Sequence, residues 1–185
     1  TFSQRVGKKP IKTKIQIESI DSDLRNRLWN CIVVMIWSKQ NHTYRNSYSR
    51  ISNLYPIFVG LWNKYFKKPI DTIPEQTADA IAEIRHHFFS CYWYEVYDFI
   101  EFLATLDQII FSPKEFMEIC NIALEQEKSG YRFIEYIISP ITSKIETQSI
   151  EDAIKESANL GFIGASIHIK DALSKLSDRK TPDFR

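Results

Sequence analysis

Apolar residues recur at helical spacing through most of the chain. Leu24, Leu28, Cys31, Ile32, Met35 and Ile36 fall at steps of three and four, the period of one helix face. Val33, Val34 and Trp37 fill much of the other side, so this first helix reads as central and buried. Asp21 or Ser22 supplies its N-cap. A second stripe holds Ile51, Leu54, Tyr55, Phe58, Trp62 and Tyr65; Pro56 within it predicts a kink or a start. Pro74 and Glu75 open a third helix that carries Ile81, Ile84 and Phe88 to about Cys91. A fourth runs from Glu95 to Ile110 with Val96, Phe99, Ile100, Leu103 and Leu106 inward, although no Gly or Pro between Ser90 and Tyr94 separates it from the third. Ser112-Pro113-Lys114-Glu115 is a capping box for a fifth helix, with Phe116, Ile119, Cys120, Ala123 and Leu124 inward and Gly130 as its stop. Ser149 caps a sixth helix ending near Gly161, and Ala165 to Leu176 makes a seventh.

The remaining segments break this period. The arm to about Ile20 is too polar and interrupted for a helix. From Lys12 to Glu18 it alternates, with Ile15 and Ile17 on one face, which predicts an extended segment lying across the core. Asn41 to Ser49 reads as a polar loop. Tyr131 to Ser139 is aromatic and β-branched between Gly130 and Pro140, and fits a short strand pair. The fold class is therefore all-α, a helical bundle of about seven helices with a short β-hairpin near residues 131–139 and an extended N-terminal arm. One domain accounts for residues 1–185: the arm (1–20), a helical core (21–176) and a polar end (177–185).

Composition narrows the class further. Hydrophobic residues make up 44% of the 185, with 12 Phe, 9 Tyr and 4 Trp, so a full aromatic core is available. Five glycines argue against a many-stranded β fold. A formal charge of +1 gives no general basic signal for nucleic acid, leaving local clusters at Lys8, Lys9, Lys12 and Lys14 and at Lys64, Lys67 and Lys68. Cys31, Cys91 and Cys120 are far apart, odd in number and set in apolar stretches, which suits buried reduced thiols in a cytoplasmic protein. No apolar run of ~18 residues predicts a membrane span.

Catalytic constellations are missing from the pattern. His86 and His87 are adjacent and diverge on a helix, so they cannot share a metal. Glu95, Asp98 and Glu101 lack histidines at matching spacing. There is no G-x-S-x-G elbow and no phosphate-cradling glycine loop. Helical ribonucleases of the HEPN type share an arginine followed four to six residues later by a histidine, and no arginine here meets that spacing. Arg5, Arg25 and Arg132 lie in apolar surroundings, where a guanidinium is either paired, with Glu18, Glu101 or Glu135 as candidates, or forms an anion pocket. Trp29 and Trp93 are core residues or stacking platforms. No metal, no cofactor and no enzymatic activity are expected.

Several blocks together resemble one family. F-S-Q-R-V-G-K-K-P from Phe2 and I-Q-I-E-S-I-D-S-D-L-R-N-R-L-W-N from Ile15 open the chain. W-Y-E-V-Y-D-F-I-E-F from Trp93, N-I-A-L-E-Q-E-K-S-G-Y-R-F from Asn121, S-P-I-T-S-K-I-E from Ser139 and S-D-R-K-T-P-D-F-R from Ser177 follow in order. The set is similar to the fourth type of AbiJ N-terminal domain, an all-helical domain of bacterial abortive-infection proteins. The resemblance implies a non-catalytic sensing or regulatory module of an anti-phage system, fused to a C-terminal effector region that is often HEPN-like and that would lie beyond Arg185. It leaves as the alternative a nucleic-acid-binding domain that delivers RNA or DNA to a partner nuclease. An oligomerisation platform, suggested by the aromatic surplus, is a third reading. The family usually has a glycine in the turn after the Y-R-F strand, where this chain reads Phe133-Ile134-Glu135-Tyr136, so a looser hairpin or none is expected. Arg5, Arg25, Trp29, Glu101 and Arg132, all within the blocks, are the candidate ligand- or partner-binding residues, with structural support of the arm as their other role.

Overall fold

The structure is a computed structural model that describes residues 2–5, 7–8, 15–40, 42–46, 49–106 and 110–140. A single turn, α1 (Phe2–Arg5), replaces the fully extended start expected of the arm. Five helices follow: α2 (Ser22–Met35), α3 (Tyr55–Gly60), α4 (Thr77–Ser90), α5 (Trp93–Thr105) and α6 (Pro113–Gln126). The sixth and seventh expected helices lie outside the described residues, which accounts for the difference from seven. The class is mainly helical, as the periodicity required.

Asp21 caps α2, its carboxylate accepting the Leu24 N–H at 2.9 Å. Leu24, Leu28, Trp29, Cys31 and Ile32 are buried along it, but Val34 is 55% exposed, so α2 has one open stripe and is not enclosed all round. Pro56 starts α3 instead of kinking it. The helix then widens into a π-turn over Leu61–Tyr65, closed by Phe66 N–H on the Leu61 carbonyl at 2.8 Å. That places Trp62 in the core and Tyr65 against Phe66, Phe99 and Phe102 with ring centres 5.2–5.4 Å apart. Phe88 joins Trp29 (5.3 Å) to Phe99 (5.7 Å), so α2, α4 and α5 share one aromatic seam. Each fully buried aromatic of this kind is worth about 1.5–3 kcal/mol of transfer free energy.

The third and fourth expected helices are separate. Arg25, reaching from α2, donates to the Phe88 carbonyl at 2.6 Å and the Cys91 carbonyl at 3.0 Å, satisfying the end of α4. Glu95 accepts the Tyr92 N–H at 2.7 Å and so closes the start of α5. α6 begins at the Ser112 cap, as expected, but ends before Gly130. Lys128 adopts φ 55°, and the N–H groups of Lys128 and Ser129 return to Glu125 (3.0 Å) and Leu124 (2.8 Å). This is a Schellman closure built without glycine.

Gly130 has a different task. A Cβ there would stand 3.3 Å from the Gln16 carbonyl, because the arm crosses at this point. Gln16 bridges Ser129 in parallel register; its N–H bonds the Lys128 carbonyl and its carbonyl takes the Gly130 N–H, both at 2.8 Å. The arm is therefore extended across the domain here, yet with the opposite face inward. Gln16 is 8% exposed, while Ile15 and Ile17 are 41% and 44% exposed. The Gln16 amide decides the register, donating to the Glu127 carbonyl at 2.8 Å and accepting the Asp21 N–H at 2.7 Å.

Two antiparallel hairpins complete the described part of the fold. The stretch expected as a polar loop forms β1 (His42–Asn46) paired with β2 (Ser49–Ser52), with a register shift between Tyr44 and Asn46. Its polarity concealed Thr43 and Tyr44, residue types that favour a pleated backbone. The expected pair near 131–139 is β3 (Arg132–Ile134) on β4 (Ile137–Ser139), joined by a two-residue turn. No glycine is needed because Glu135 itself takes φ 52°. No helix among the described residues is long and apolar enough to cross a membrane.

Candidate functional site

Helices α5 and α6 hold the second hairpin from two sides. Asn121, in the middle of α6, accepts the Phe133 N–H at 2.7 Å and donates to the Phe133 carbonyl at 2.9 Å, taking the place of a neighbouring strand. Asparagine is a poor helix former; its place here is explained by that paired contact. On the other strand, Glu101 of α5 accepts the Ile138 N–H at 2.6 Å. Burial raises the Glu101 carboxyl above its usual range; the Ile138 N–H works against this and Asp98 adds to it.

The loop that feeds β3 is bonded just as closely. Ser129 shares a 2.9 Å hydrogen bond with the Tyr97 hydroxyl and accepts the Tyr131 N–H at 3.1 Å. Burial pushes the Tyr97 hydroxyl up to about 12. Arg132 is buried and donates to the carbonyls of Ser129 (2.8 Å) and Tyr131 (2.6 Å). Burial lowers its guanidinium pKa, and Glu125 partly offsets this.

So fixed, the hairpin projects Tyr136, 50% exposed, between two hollows. One, of about 520 Å³, lies against α6 and is lined by Lys114, Met117, Glu118, Asn121, Phe133, Glu135 and Tyr136. The other, of about 360 Å³, is lined by Ala104, Thr105, Leu106, Pro113 and Tyr136. An apolar floor, a mixed-charge rim and an exposed aromatic tip suit the capture of a partner's side chains. The lining offers no nucleophile next to a base.

The candidate residues from the sequence do not converge. Arg25 and Trp29 belong to the seam with α4: Arg25 grips two backbone carbonyls, and Trp29 is buried against Phe88 and Phe89. Glu101 and Arg132 both serve the second hairpin, one from a helix and one from its strand. Arg5 ends α1, and its side chain lies outside the described residues. Among the described residues, Glu101 is paired with the Ile138 N–H and with no arginine. Tyr136, Met117 and Asn121 were not identified from the pattern; a mid-helix asparagine was the one available signal.

Two other clusters are structural. Asp21, Asp23 and Glu127 bring carboxylate oxygens within 4.8 Å of one another, but Asp21 caps α2 and Glu127 pairs with Arg27. His87 stands among Tyr65, Phe66 and Phe99, its Nε2 buried with no hydrogen-bond partner. Burial lowers its pKa below the ordinary value.

Residues 1–156 match the family model described as AbiJ N-terminal domain 4. No curated protein and no solved structure matches the chain.

Proposed function

The chain belongs to the AbiJ N-terminal domain 4 family, a group of abortive-infection-associated domains, and from that premise we propose a non-catalytic, cytoplasmic sensing and regulatory module that controls an attached effector region. Its contact surface is the hollow pair around Tyr136. One observation carries this reading: the polar side chains that hold the hairpin, Glu101, Asn121 and Arg132, are turned to backbone groups. They fix a shape. The exposed Tyr136 and the Met117–Phe133 floor are what that shape displays.

A protein partner fits better than nucleic acid. Glu118 and Glu135 stand on the rim against the single Lys114, which disfavours phosphate. At the other lysine cluster, Lys68 pairs with Glu83 and lies 5.5 Å over the Phe66 ring. The test is a titration of the chain with the effector region that its native gene encodes. Tyr136→Ala weakens that binding about tenfold or more if Tyr136 is an anchor of the contact, and an unchanged affinity refutes the surface. Turnover of RNA or nucleotide by the purified chain, abolished by Arg25→Ala, refutes the non-catalytic reading. Salt-dependent capture of labelled tRNA at low ionic strength favours nucleic-acid delivery instead.

A further inference from the structure

Of the three cysteines in the chain, Cys31 and Cys120 lie on the packed helices α2 and α6, and Cys91 lies on neither. α2 packs along α6, and the Cys31 thiol donates to the carbonyl of Ile119, the residue before Cys120, at 3.7 Å. The neighbouring Cys120 side chain holds the Cys31 thiol below its ordinary pKa, with burial opposing and the Arg27 charge helping. Burial pushes the Cys120 thiol well up. The two thiols are therefore pushed in opposite directions, Cys31 down and Cys120 up.

Cys31 is buried, 6% exposed, and borders a solvent-open groove. The groove, of about 210 Å³, lies between α2 and α6, with Arg27 and Asn30 beside the cysteine and Val34 and Ile122 at the mouth. Val34 and Ile122 are 55% and 54% exposed, so the mouth opens to solvent. A water occupies about 30 Å³, so a small hydroperoxide fits easily. Cys91 has no such arrangement. It packs on Arg25 and the Phe88 carbonyl, and burial raises its thiol pKa.

We propose that Cys31 and Cys120 form a dithiol site at the base of the α2–α6 groove that a hydroperoxide oxidises. The Cys31 thiolate attacks the peroxide O–O bond; a sulfenic acid forms on Cys31, and the hydroxide that leaves takes up a proton as water. The Cys120 sulfur then displaces the sulfenic oxygen: the S–S bond forms, the S–O bond breaks, and the departing hydroxide leaves as water with the Cys120 proton. Two thiols are oxidised, one peroxide is reduced, and α2 becomes tied to α6.

The test treats the reduced full chain with hydrogen peroxide under native conditions. The expected result is a loss of two hydrogens in the intact mass, reversed by dithiothreitol, with peptide mapping that joins residues 22–35 to residues 113–126. In Cys120→Ser the chemistry stops at a Cys31 sulfenic acid that dimedone traps. In Cys31→Ala the thiols of Cys91 and Cys120 survive the same exposure. The proposal is overturned if the link forms only in urea, or if Cys91 is consumed while Cys31 and Cys120 still titrate as free thiols.

Discussion

Gln16→Ala is the substitution that best separates the observed register of the arm from the one its isoleucines suggest. The side chain is 8% exposed and makes two hydrogen bonds, to the Glu127 carbonyl and from the Asp21 N–H. Truncation takes one hydrogen bond from each of these two backbone groups, one buried and one part-buried. At about 1–2 kcal/mol for each bond lost, the cost is about 2–4 kcal/mol. For a chain of this length that corresponds to a melting point lower by about 5–12 °C. Urea unfolding followed by tryptophan fluorescence measures it directly, with the slope unchanged if only stability has moved. Ile17→Ser is the control: at 44% exposed it costs less than about 1 kcal/mol. Gln16→Glu keeps an acceptor for Asp21 but loses the donor and adds charge beside Asp21, Asp23 and Glu127, so it is no milder than the alanine. If Gln16→Ala lies within about 0.5 kcal/mol of the parent, or Ile17→Ser is the more damaging, the arm does not cross as described.

Three further outcomes follow from the same contacts. Arg25→Lys cannot hold both carbonyls at the α4–α5 junction and destabilises by about 2 kcal/mol in urea unfolding; a neutral result removes the junction from Arg25's account. Lys128→Gly and Glu135→Gly each relieve a left-handed backbone at φ 55° and 52° and stabilise by about 0.5–1 kcal/mol in thermal melts, unless those angles are not adopted. His87 binds its proton more weakly folded than unfolded, so the unfolded chain takes up more protons as pH falls below 6.5. Its contribution to stability is complete above that pH and is lost below it, by at most about 1.4 kcal/mol per pH unit. His87→Phe should flatten the difference between melts at pH 7.5 and 5.5; an unchanged slope assigns the acid sensitivity elsewhere.

The helical class, the caps at Asp21 and Ser112, the start at Pro56 and the hairpin after Gly130 were legible because each is a local signal. What was not legible depends on distant partners. No residue between Ser90 and Tyr94 announces a helix break, since the group that caps α4 is Arg25, 63 residues away from Phe88. Alternation in the arm gave the extended backbone but not which face turns inward, because that is decided by the bonds of the Gln16 amide to Glu127 and Asp21, distant from or outside the alternating stretch. Gly130 looked like a helix stop and is a crossing point. Lys128 and Glu135 take left-handed backbone that residue type does not advertise, so the end of α6 and the tight hairpin were both misjudged.

Three of the five residues singled out as special share one job, and on the proposed reading this bears on where a partner is met. Arg25, Glu101 and Arg132 each spend their polar atoms on main-chain groups at a joint between elements. A side chain committed in this way cannot release its bonds to meet a ligand without opening the joint, at a cost of about 1–3 kcal/mol for each group left bare. On the proposed reading, partner contact falls to side chains whose loss the fold does not feel. Tyr136 meets that condition: it stands 50% exposed at the tip of a hairpin that Asn121 and Glu101 already hold. Tyr136→Ala should therefore leave the melting point unmoved while binding is lost, and Glu101→Gln should do the reverse, lowering stability first. A Tyr136 variant that unfolds the domain would place this residue with the joints, and the contact surface would have to be sought elsewhere.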